Sequence, residues 1–243
     1  MQPHIEVAED GDALARAVAE WFVNRVNADP RPMRIALSGG STPRTLYTLL
    51  ASAAFKDRMP WSRLSFFFGD ERLVPPDHPD SNYRMVRETL LRDRPVADDR
   101  VYPIPTDGSA EEAARKYEET LRRVSANDAQ DGNRPLFDII FLGLGGDGHT
   151  ASLIPGQPVL NERRRWVAPV TSGRAEARVT LTYPAIHSSR AIAFLVTGAE
   201  KAAAVKGVMA GDANLPATSI TSEGEIFWYL DRAAAGQLTT RPS

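Results

Sequence analysis

Two side chains able to transfer a proton lie together in a glycine-rich loop. Asp147 and His149 follow the apolar run 137–142, within the segment FDIIFLGLGGDGHTASLIPG at 137–156. A carboxylate can orient and charge-stabilise an imidazole, and an oriented imidazole is suited to general-base chemistry. The glycines let a ligand approach the main chain closely. The sequence therefore predicts a proton-transferring pair at the end of a buried strand, where open α/β sheets hold their ligands.

A second glycine-containing segment, SGGSTP, has the composition of a phosphate-binding turn. It lies between a predicted strand and a predicted helix, where backbone amides and the helix dipole favour an anion. The same composition also fits an ordinary strand-to-helix turn with a Ser or Thr cap, and the residues alone leave both interpretations open. A Walker loop is excluded, because no Gly-Lys-Ser/Thr follows. The candidate anion-binding residues are Ser38, Gly39, Gly40, Ser41 and Thr42.

Charged residues follow two further predicted strands. In the segment GDER, Asp70 and Glu71 are candidates for acid–base chemistry or metal binding. Arg72 could grip a phosphate through its planar fork. The alternative for this segment is a solvated loop with a local ion pair. Lys201 follows the strand predicted at 191–197, and either reaches an anion at the same edge of the sheet or lies exposed on its helix.

The apolar pattern predicts an α/β fold. Apolar residues at helical spacing indicate helices, and short apolar runs bounded by turn residues indicate strands. Alternating strands and helices favour a single-domain, largely parallel Rossmann-like sheet flanked by helices, with antiparallel edge strands expected in the second half. Residues 1–243 are interpreted as one domain, and 69–83 as a long polar loop. The predicted strands are 34–38, 64–68, 101–104, 137–142, 166–170, 179–182, 191–197 and 226–230, and the predicted helices are 12–27, 45–50, 85–91, 110–125 and 199–209.

Composition narrows the classes of function. The chain has 243 residues, a net charge of −2 and no cysteine. This charge provides no global field for nucleic acid or acidic membranes, so neither is expected as a partner. Thiol chemistry is excluded, and no apolar stretch approaches the roughly 18 to 20 residues that span a bilayer. No secretory signal is seen, so a cytoplasmic location is expected, and nothing specifies an oligomeric state.

No cofactor or metal is expected from the motifs. Gly143, Gly145 and Gly148 match the dinucleotide fingerprint G-x-G-x-x-G. The fingerprint needs a long helix after it, and Pro155 follows too soon. The acidic residue expected about 20 positions later is also missing. Because the sequence has no HxxxH, HxH or cysteine cluster, a zinc site is not expected.

Five segments extend through nearly the whole chain in a fixed order. Together they resemble the 6-phosphogluconolactonase family. The chain departs from that family at His187, where Asn is common, and at Tyr183, where Leu is usual, which leaves local substrate contacts open but not the reaction. The segments are LSGGSTP at 37–43, FFFGDERLVP at 66–75, DSNYRM at 80–85, FDIIFLGLGGDGHTASLIPG at 137–156 and FLVTGAEKA at 194–202.

The resemblance implies hydrolysis of 6-phospho-D-glucono-1,5-lactone to 6-phospho-D-gluconate, in the oxidative branch of the pentose phosphate pathway. His149 would be the general base and Asp147 its orienting group. Amides of the glycine-rich loop, including Gly145 and Gly146, would serve the oxyanion. The 6-phosphate would bind among the SGGSTP amides, Arg72 and Lys201, with Asp70 as a further contact. The substrate is a small phosphorylated lactone, and no cofactor or metal takes part.

Two alternatives of other classes stay open. The related glucosamine-6-phosphate isomerase/deaminase family shares a DGH loop, but it typically has Tyr at the position of Arg72. It also carries a Glu after the loop, whereas this chain has none between His149 and Glu162. A non-catalytic sugar-phosphate effector-binding domain is the second alternative. Such a domain is normally attached to a DNA-binding segment and would have no need of Asp147 and His149.

Overall fold

Ten strands and six α-helices make up the described part of the chain. The computed structural model describes residues 3–93, 96–127 and 134–238. The strands are β1 (His4–Ala8), β2 (Met33–Leu37), β3 (Leu64–Phe68), β4 (Asp70–Arg72), β5 (Val101–Tyr102), β6 (Ile139–Leu142), β7 (Val167–Val170), β8 (Arg178–Leu181), β9 (Ala191–Val196) and β10 (Glu225–Asp231). The α-helices are α1 (Gly11–Ala28), α2 (Ser41–Leu50), α3 (Asn82–Glu88), α4 (Ala110–Asn127), α5 (Tyr183–His187) and α6 (Ala202–Met209).

Seven parallel strands form the main sheet. Their spatial order is β1-β10-β9-β6-β2-β3-β5, and every neighbouring pair is parallel. From β2 the chain proceeds outward through β3 to β5, and it then returns to build the other side from β6. The order therefore reverses between β2 and β6, and a ligand crevice is expected beyond the carboxyl ends of these two strands. The predicted α/β class, with a largely parallel sheet flanked by helices, is confirmed.

The antiparallel strands form a second sheet of three, in the order β4-β8-β7. The sequence predicts β7 and β8 but assigns β4 to a polar loop, and this assignment is wrong. Gly69 connects β3 directly to β4, and Asp70 pairs with Thr180 in β8. The partner strand lies more than 100 residues away, and three polar residues show no apolar strand pattern of their own. The loop interpretation therefore missed a pairing that only the fold creates.

Helix α1 shows how the sequence determines where a helix begins and which face of it is buried. Leu14, Val18, Phe22 and Val26 recur at helical spacing and are buried, while the Oδ1 atom of Asp10 accepts a hydrogen bond from the amide of Ala13 at 2.8 Å. A carboxylate at this position satisfies an amide that has no partner within the helix. The helix predicted at 12–27 is confirmed, with Asp10 as its N-cap. Burial of the apolar face against the core supplies most of the stability of such a helix.

The other predicted elements agree with the structure to within a few residues. The helix predicted at 85–91 begins earlier, at Asn82, because Ser81 caps it by accepting from the amide of Arg84 at 3.1 Å. The segment 199–209 begins as a 3₁₀ turn, Ala199–Lys201, before α6. Besides β4, the sequence also does not predict β1 and α5. Among the described residues, no helix is long and apolar enough to cross a membrane.

Candidate active site

A cavity of about 200 Å³ lies at the carboxyl edge of the main sheet. Ser38, Gly143 and Thr197 line it, and they directly follow β2, β6 and β9. The cavity is therefore at the point where the strand order reverses, and the small sheet forms another part of its wall. Most of the residues that the sequence singles out line this cavity. They are Ser38, Gly39, Gly40, Ser41, Thr42, Asp70, Arg72, Gly145, His149 and Lys201.

His149 and Asp147 form a hydrogen-bonded pair at the cavity. Nδ1 of His149 lies 2.5 Å from Oδ1 of Asp147, and Nη2 of Arg174 lies 2.6 Å from Oδ2 of the same carboxylate. Partial burial raises the pKa of Asp147, but the hydrogen bonds from His149 and Arg174 outweigh burial and hold this pKa well below its ordinary value of 3.8. The ionised carboxylate favours the imidazole tautomer that carries its proton on Nδ1. Nε2 is then left with a lone pair that can accept a proton.

Gly145 makes room for the imidazole ring. A Cβ atom at this position would overlap Nδ1 and Cε1 of His149, and it would lie 2.7 Å from Oδ1 of Asp147. The amide of Gly145 donates to the carbonyl of His149 at 2.8 Å, which closes the loop. This amide is therefore engaged within the loop, contrary to the oxyanion role expected for it. Gly146 does not line the cavity, and a Cβ atom there would lie 3.4 Å from the carbonyl of Glu200.

The SGGSTP segment begins α2 and presents its polar groups to the cavity. Gly40, at the N-cap, has φ of 106°, which is a conformation that glycine adopts without strain. The hydroxyl of Tyr47 bonds to both the amide and the carbonyl of Ser38 at 3.0 Å, and this fixes the end of β2. Thr42 and Thr197 join their hydroxyls at 2.7 Å, which ties the helix to the end of β9. This geometry fits an anion-binding helix start.

Among the described residues, three cations and one carboxylate line the cavity. The cations are Arg72, Arg178 and Lys201, and the carboxylate is Asp70. Nη1 of Arg72 donates to the carbonyl of Asp80 at 2.5 Å, which holds its guanidinium at the wall. The excess of positive charge at a concave surface favours an anionic ligand. Because the whole chain carries a net charge of −2, this attraction is local to the site.

The neighbouring acidic residues, Asp70 and Glu71, have different roles. Asp70 is buried and accepts from Ser152 Oγ at 2.6 Å, and its side chain reaches the cavity. Glu71 points to the opposite side of β4 and accepts from the amides of Asn82 and Tyr83, each at 2.8 Å. Burial raises the pKa of Glu71, and these hydrogen bonds oppose the increase. Glu71 therefore fixes the start of α3 rather than lining the cavity, and the solvated-loop alternative for GDER is wrong.

Two other histidines and the basic run 163–165 lie away from the cavity. His78 accepts from the amide of Asp80 at 3.2 Å, and His187 Nε2 lies 3.0 Å from the carbonyl of Ser219. In the basic run 163–165, Arg165 forms ion pairs with Glu111 and Glu162 on the surface. Within the described ranges, no group of three or more His, Cys, Asp or Glu side chains is arranged to hold a metal ion.

Sequence reasoning missed Arg174, Arg178 and Asn82. Arg178 and Asn82 line the cavity, and Arg174 contacts the carboxylate of Asp147. Asn82 belongs to the quoted segment DSNYRM, so a signal for it existed. Arg174 and Arg178 lie in the stretch TSGRAEAR at 171–178, where a single glycine and a single glutamate do not mark a site. Only the pairing of β8 with β4 brings Arg178 to the cavity.

The chain is similar in sequence and in fold to several known proteins. The family described as glucosamine-6-phosphate isomerases/6-phosphogluconolactonase matches residues 9–228. A 6-phosphogluconolactonase of Synechocystis sp. is 38% identical over 245 residues, covering 98% of this chain and 99% of the relative. The solved 6-phosphogluconolactonase from Trypanosoma cruzi is 32% identical with a TM-score of 0.79, covering 98% of each chain. A solved monomeric glucosamine-6-phosphate deaminase has a TM-score of 0.80 at only 19% identity, over 96% of this chain and 99% of that one, so this likeness shows the fold alone.

Proposed function

Because the chain belongs to the family of glucosamine-6-phosphate isomerases and 6-phosphogluconolactonases, we propose that it is an enzyme that hydrolyses 6-phospho-D-glucono-1,5-lactone to 6-phospho-D-gluconate. The observation that carries this proposal is the Asp147–His149 pair beside a cavity lined by three cations. A general base and a phosphate-binding surface are what hydrolysis of a phosphorylated lactone requires. In the pentose phosphate pathway this is a step of the oxidative branch.

The proposed reaction uses His149 twice. Nε2 takes a proton from water as the water oxygen attacks the lactone carbonyl, and the carbonyl oxygen becomes an oxyanion. The C1–O5 bond then breaks, and the imidazolium returns its proton to the leaving ring oxygen. The new carboxylic acid releases a proton to solvent. Asp147 keeps the imidazole oriented and stabilises its positive charge between the two steps.

Two cations of the cavity, Arg72 and Lys201, are proposed to bind the 6-phosphate. Arg72 and Lys201 line the cavity together with the start of α2, where Ser41 and Thr42 lie. Binding of a remote phosphate positions the lactone carbonyl against His149, so that part of the binding energy is used to orient the reaction. Asp70, held by Ser152, is proposed as a contact for sugar hydroxyls.

The deaminase alternative has less support. A Glu that serves ring opening is expected soon after the DGH loop, yet no acidic residue occurs between His149 and Glu162. The fold does not separate the two activities, since a deaminase shares it. The relatives with the higher sequence identities, including the one from Synechocystis sp., are named 6-phosphogluconolactonases.

Acid release from freshly made 6-phosphogluconolactone tests the proposal, with ammonia release from glucosamine 6-phosphate as the comparison. The purified protein is expected to accelerate acid release far above the uncatalysed rate and to release no ammonia. Ammonia release without lactone hydrolysis would assign the chain to the deaminases. Binding of both sugar phosphates without turnover would favour an effector-binding domain.

We also propose that residues 1–243 act as one domain in the cytoplasm. One hydrophobic cluster connects both halves of the chain, from Leu14 in α1 to Ala234 after β10. The lack of cysteine suits a reducing compartment. Activity recovered in the cytosolic fraction of the source cells would agree with this location, whereas activity confined to an organelle or the periplasm would contradict it.

A further inference from the structure

Strands β4 and β8 place two arginines directly opposite each other. In their antiparallel register, Arg72 is paired with Arg178 and Asp70 with Thr180. Side chains two residues apart on a strand lie on the same face, so Asp70, Arg72 and Arg178 share one face of the small sheet. All three line the cavity. Like charges directly opposite each other destabilise an antiparallel pair. This register is therefore favourable only where negative charge is supplied beside the two guanidinium groups.

The hydrogen-bonding capacity of both guanidinium groups is only partly used by the described residues. The side chain of Arg178 is only 12% exposed, and its Nε atom is buried without a hydrogen-bond partner. The Nε atom of Arg72 is also buried without a hydrogen-bond partner. Burial lowers the pKa of Arg178, and repulsion from Arg72 and Arg174 acts in the same direction. A buried charge is stable when it is paired and hydrogen-bonded, and both guanidinium groups line the cavity, so an anion bound there would supply the missing negative charge.

Asp70 does not neutralise the charges of both Arg72 and Arg178. Its Oδ2 atom lies 3.9 Å from Nη1 of Arg178, which is beyond hydrogen-bond distance. The same oxygen already accepts from Ser152 Oγ at 2.6 Å. Asp70 therefore attracts Arg178 toward the cavity without forming the close bidentate pair that a structural salt bridge would show. One carboxylate facing two guanidinium groups leaves a surplus of positive charge.

We propose that Arg178 binds the 6-phosphate of the substrate and forms, with Arg72, a clamp of two guanidinium groups that selects phosphorylated lactones over unphosphorylated ones. This inference deepens the proposed function and rests on it. A phosphate dianion matches the clamp in charge, and its oxygens match the planar fork of arginine. The cross-strand pairing makes the clamp rigid, because the backbone of the small sheet fixes the separation of the two arginines.

The test combines turnover with direct binding. Arg178→Gln and Arg178→Lys are compared with wild type for kcat/KM on 6-phosphogluconolactone and on gluconolactone, and for calorimetric binding of 6-phosphogluconate. Losing a hydrogen bond to a charged group weakens binding by about 10- to 100-fold, and this loss is expected for R178Q with the phosphorylated ligand. The loss in kcat/KM on gluconolactone is expected to be much smaller, because that substrate has no phosphate for Arg178 to bind. R178K keeps the charge but lacks the fork, so it should show a smaller loss of the same kind.

Arg190→Gln is the matched control. Arg190 is also partly buried and ion-paired, with Nε 3.3 Å from Oδ1 of Asp138, but it precedes β9 at the opposite edge of the sheet. This variant should leave the ratio of the two kcat/KM values unchanged. Equal losses on both lactones in R178Q and R178K would overturn the inference, as would unchanged binding of 6-phosphogluconate. If wild type binds 6-phosphogluconate without hydrolysing the lactone while R178Q loses that binding, the proposed function fails and the clamp stands.

Discussion

At the scale of single residues, His149 is held by contacts on several sides. Asp147 and Arg174 approach Nδ1 at 2.5 and 3.1 Å, and Gly145 packs directly against the ring. Nη2 of Arg174 and Nδ1 of His149 both donate hydrogen bonds to the carboxylate of Asp147, which therefore connects the two side chains. Such a three-part contact fixes both the tautomer and the direction of the imidazole. Positioning to this degree is what general-base catalysis demands.

Gly145→Ala tests the packing of His149. The new methyl group would overlap the imidazole and displace it, so kcat on the lactone is expected to fall by about 100-fold or more, as when a positioned general base is lost. Steady-state kinetics on 6-phosphogluconolactone measure this effect. Gly69→Ala is the control, because its Cβ atom would meet only the carbonyl of Leu37 at an ordinary 3.5 Å. Normal kcat in Gly145→Ala would show that the ring position has little importance.

The acidic residues of the site already have partners other than a metal. Asp70 accepts from Ser152 and faces Arg178, while Asp147 is bound by His149 and Arg174. In the proposed reaction His149 activates the water, which leaves no step for a Lewis acid. Activity is therefore expected to survive dialysis against EDTA. Loss of activity on chelation, restored by one divalent ion, would reassign these carboxylates as ligands.

At the scale of elements, buried tyrosines close the ends of two central strands. The Tyr47 hydroxyl bonds to both backbone groups of Ser38 after β2. The Tyr117 hydroxyl does the same for Phe68 at the end of β3, at 2.8 and 3.2 Å. Burial raises the pKa of both tyrosines, which keeps their hydroxyls protonated. Each hydroxyl forms hydrogen bonds with backbone groups at the end of its strand, where the chain leaves the sheet toward the site.

Tyr47→Phe is expected to destabilise the protein by about 1–3 kcal/mol, the cost of leaving a buried polar group unsatisfied. Urea unfolding measures this difference. Tyr102→Phe is the matched control, because the Tyr102 ring stacks on Phe67 while its hydroxyl makes no hydrogen bond to the described residues. Equal stabilities of Tyr47→Phe and Tyr102→Phe would contradict the role given to the Tyr47 hydroxyl.

Helix α5 carries a histidine whose titration affects stability. Burial lowers the pKa of His187 below its ordinary 6.5. The hydrogen bond to Ser219 raises this pKa, and the positive charge of Arg163 lowers it further. The unfolded chain then binds the proton more readily than the folded one. The contribution of the neutral His187 imidazole to the free energy of unfolding is therefore fully present above about pH 6.5. It is lost as the pH falls through the lowered pKa.

His187→Asn should remove this contribution while keeping a donor for the Ser219 carbonyl. The difference in unfolding free energy between pH 7.5 and 5.5 is expected to be smaller in the variant than in wild type. Urea unfolding at both pH values provides the comparison. An identical pH dependence in the two proteins would contradict a role for His187 titration.

At the scale of the whole molecule, local signals predict most elements but not their long-range pairing. The buried strand 64–68 and the amphipathic helix 110–125 can be predicted from the sequence. The arrangement of their apolar residues directly reflects which positions are buried. The edge strand β1 is mostly exposed and short, and it pairs with β10 more than 200 residues later. Its sequence HIEVA therefore lacks the apolar signal of a central strand.

The same distinction applies to the site. Residues in glycine-rich loops at strand ends, such as His149 and Ser38, are marked by their local composition. Arg178 and Arg174 reach the site only through the pairing of β8 with β4 and the return of the chain near Asp147. Their function depends on contacts that join distant segments, and no local pattern in the sequence encodes those contacts.

The rate of acid release from 6-phosphogluconolactone by His149→Ala, beside wild type, tests the central claim most directly. Removing a positioned general base is expected to lower kcat by about 10² to 10⁴, while KM changes little because the cations proposed to bind the phosphate remain. Calorimetric binding of 6-phosphogluconate to the variant confirms that the site is intact. A variant that keeps near-normal kcat at neutral pH would remove His149 from the reaction and contradict the proposed mechanism.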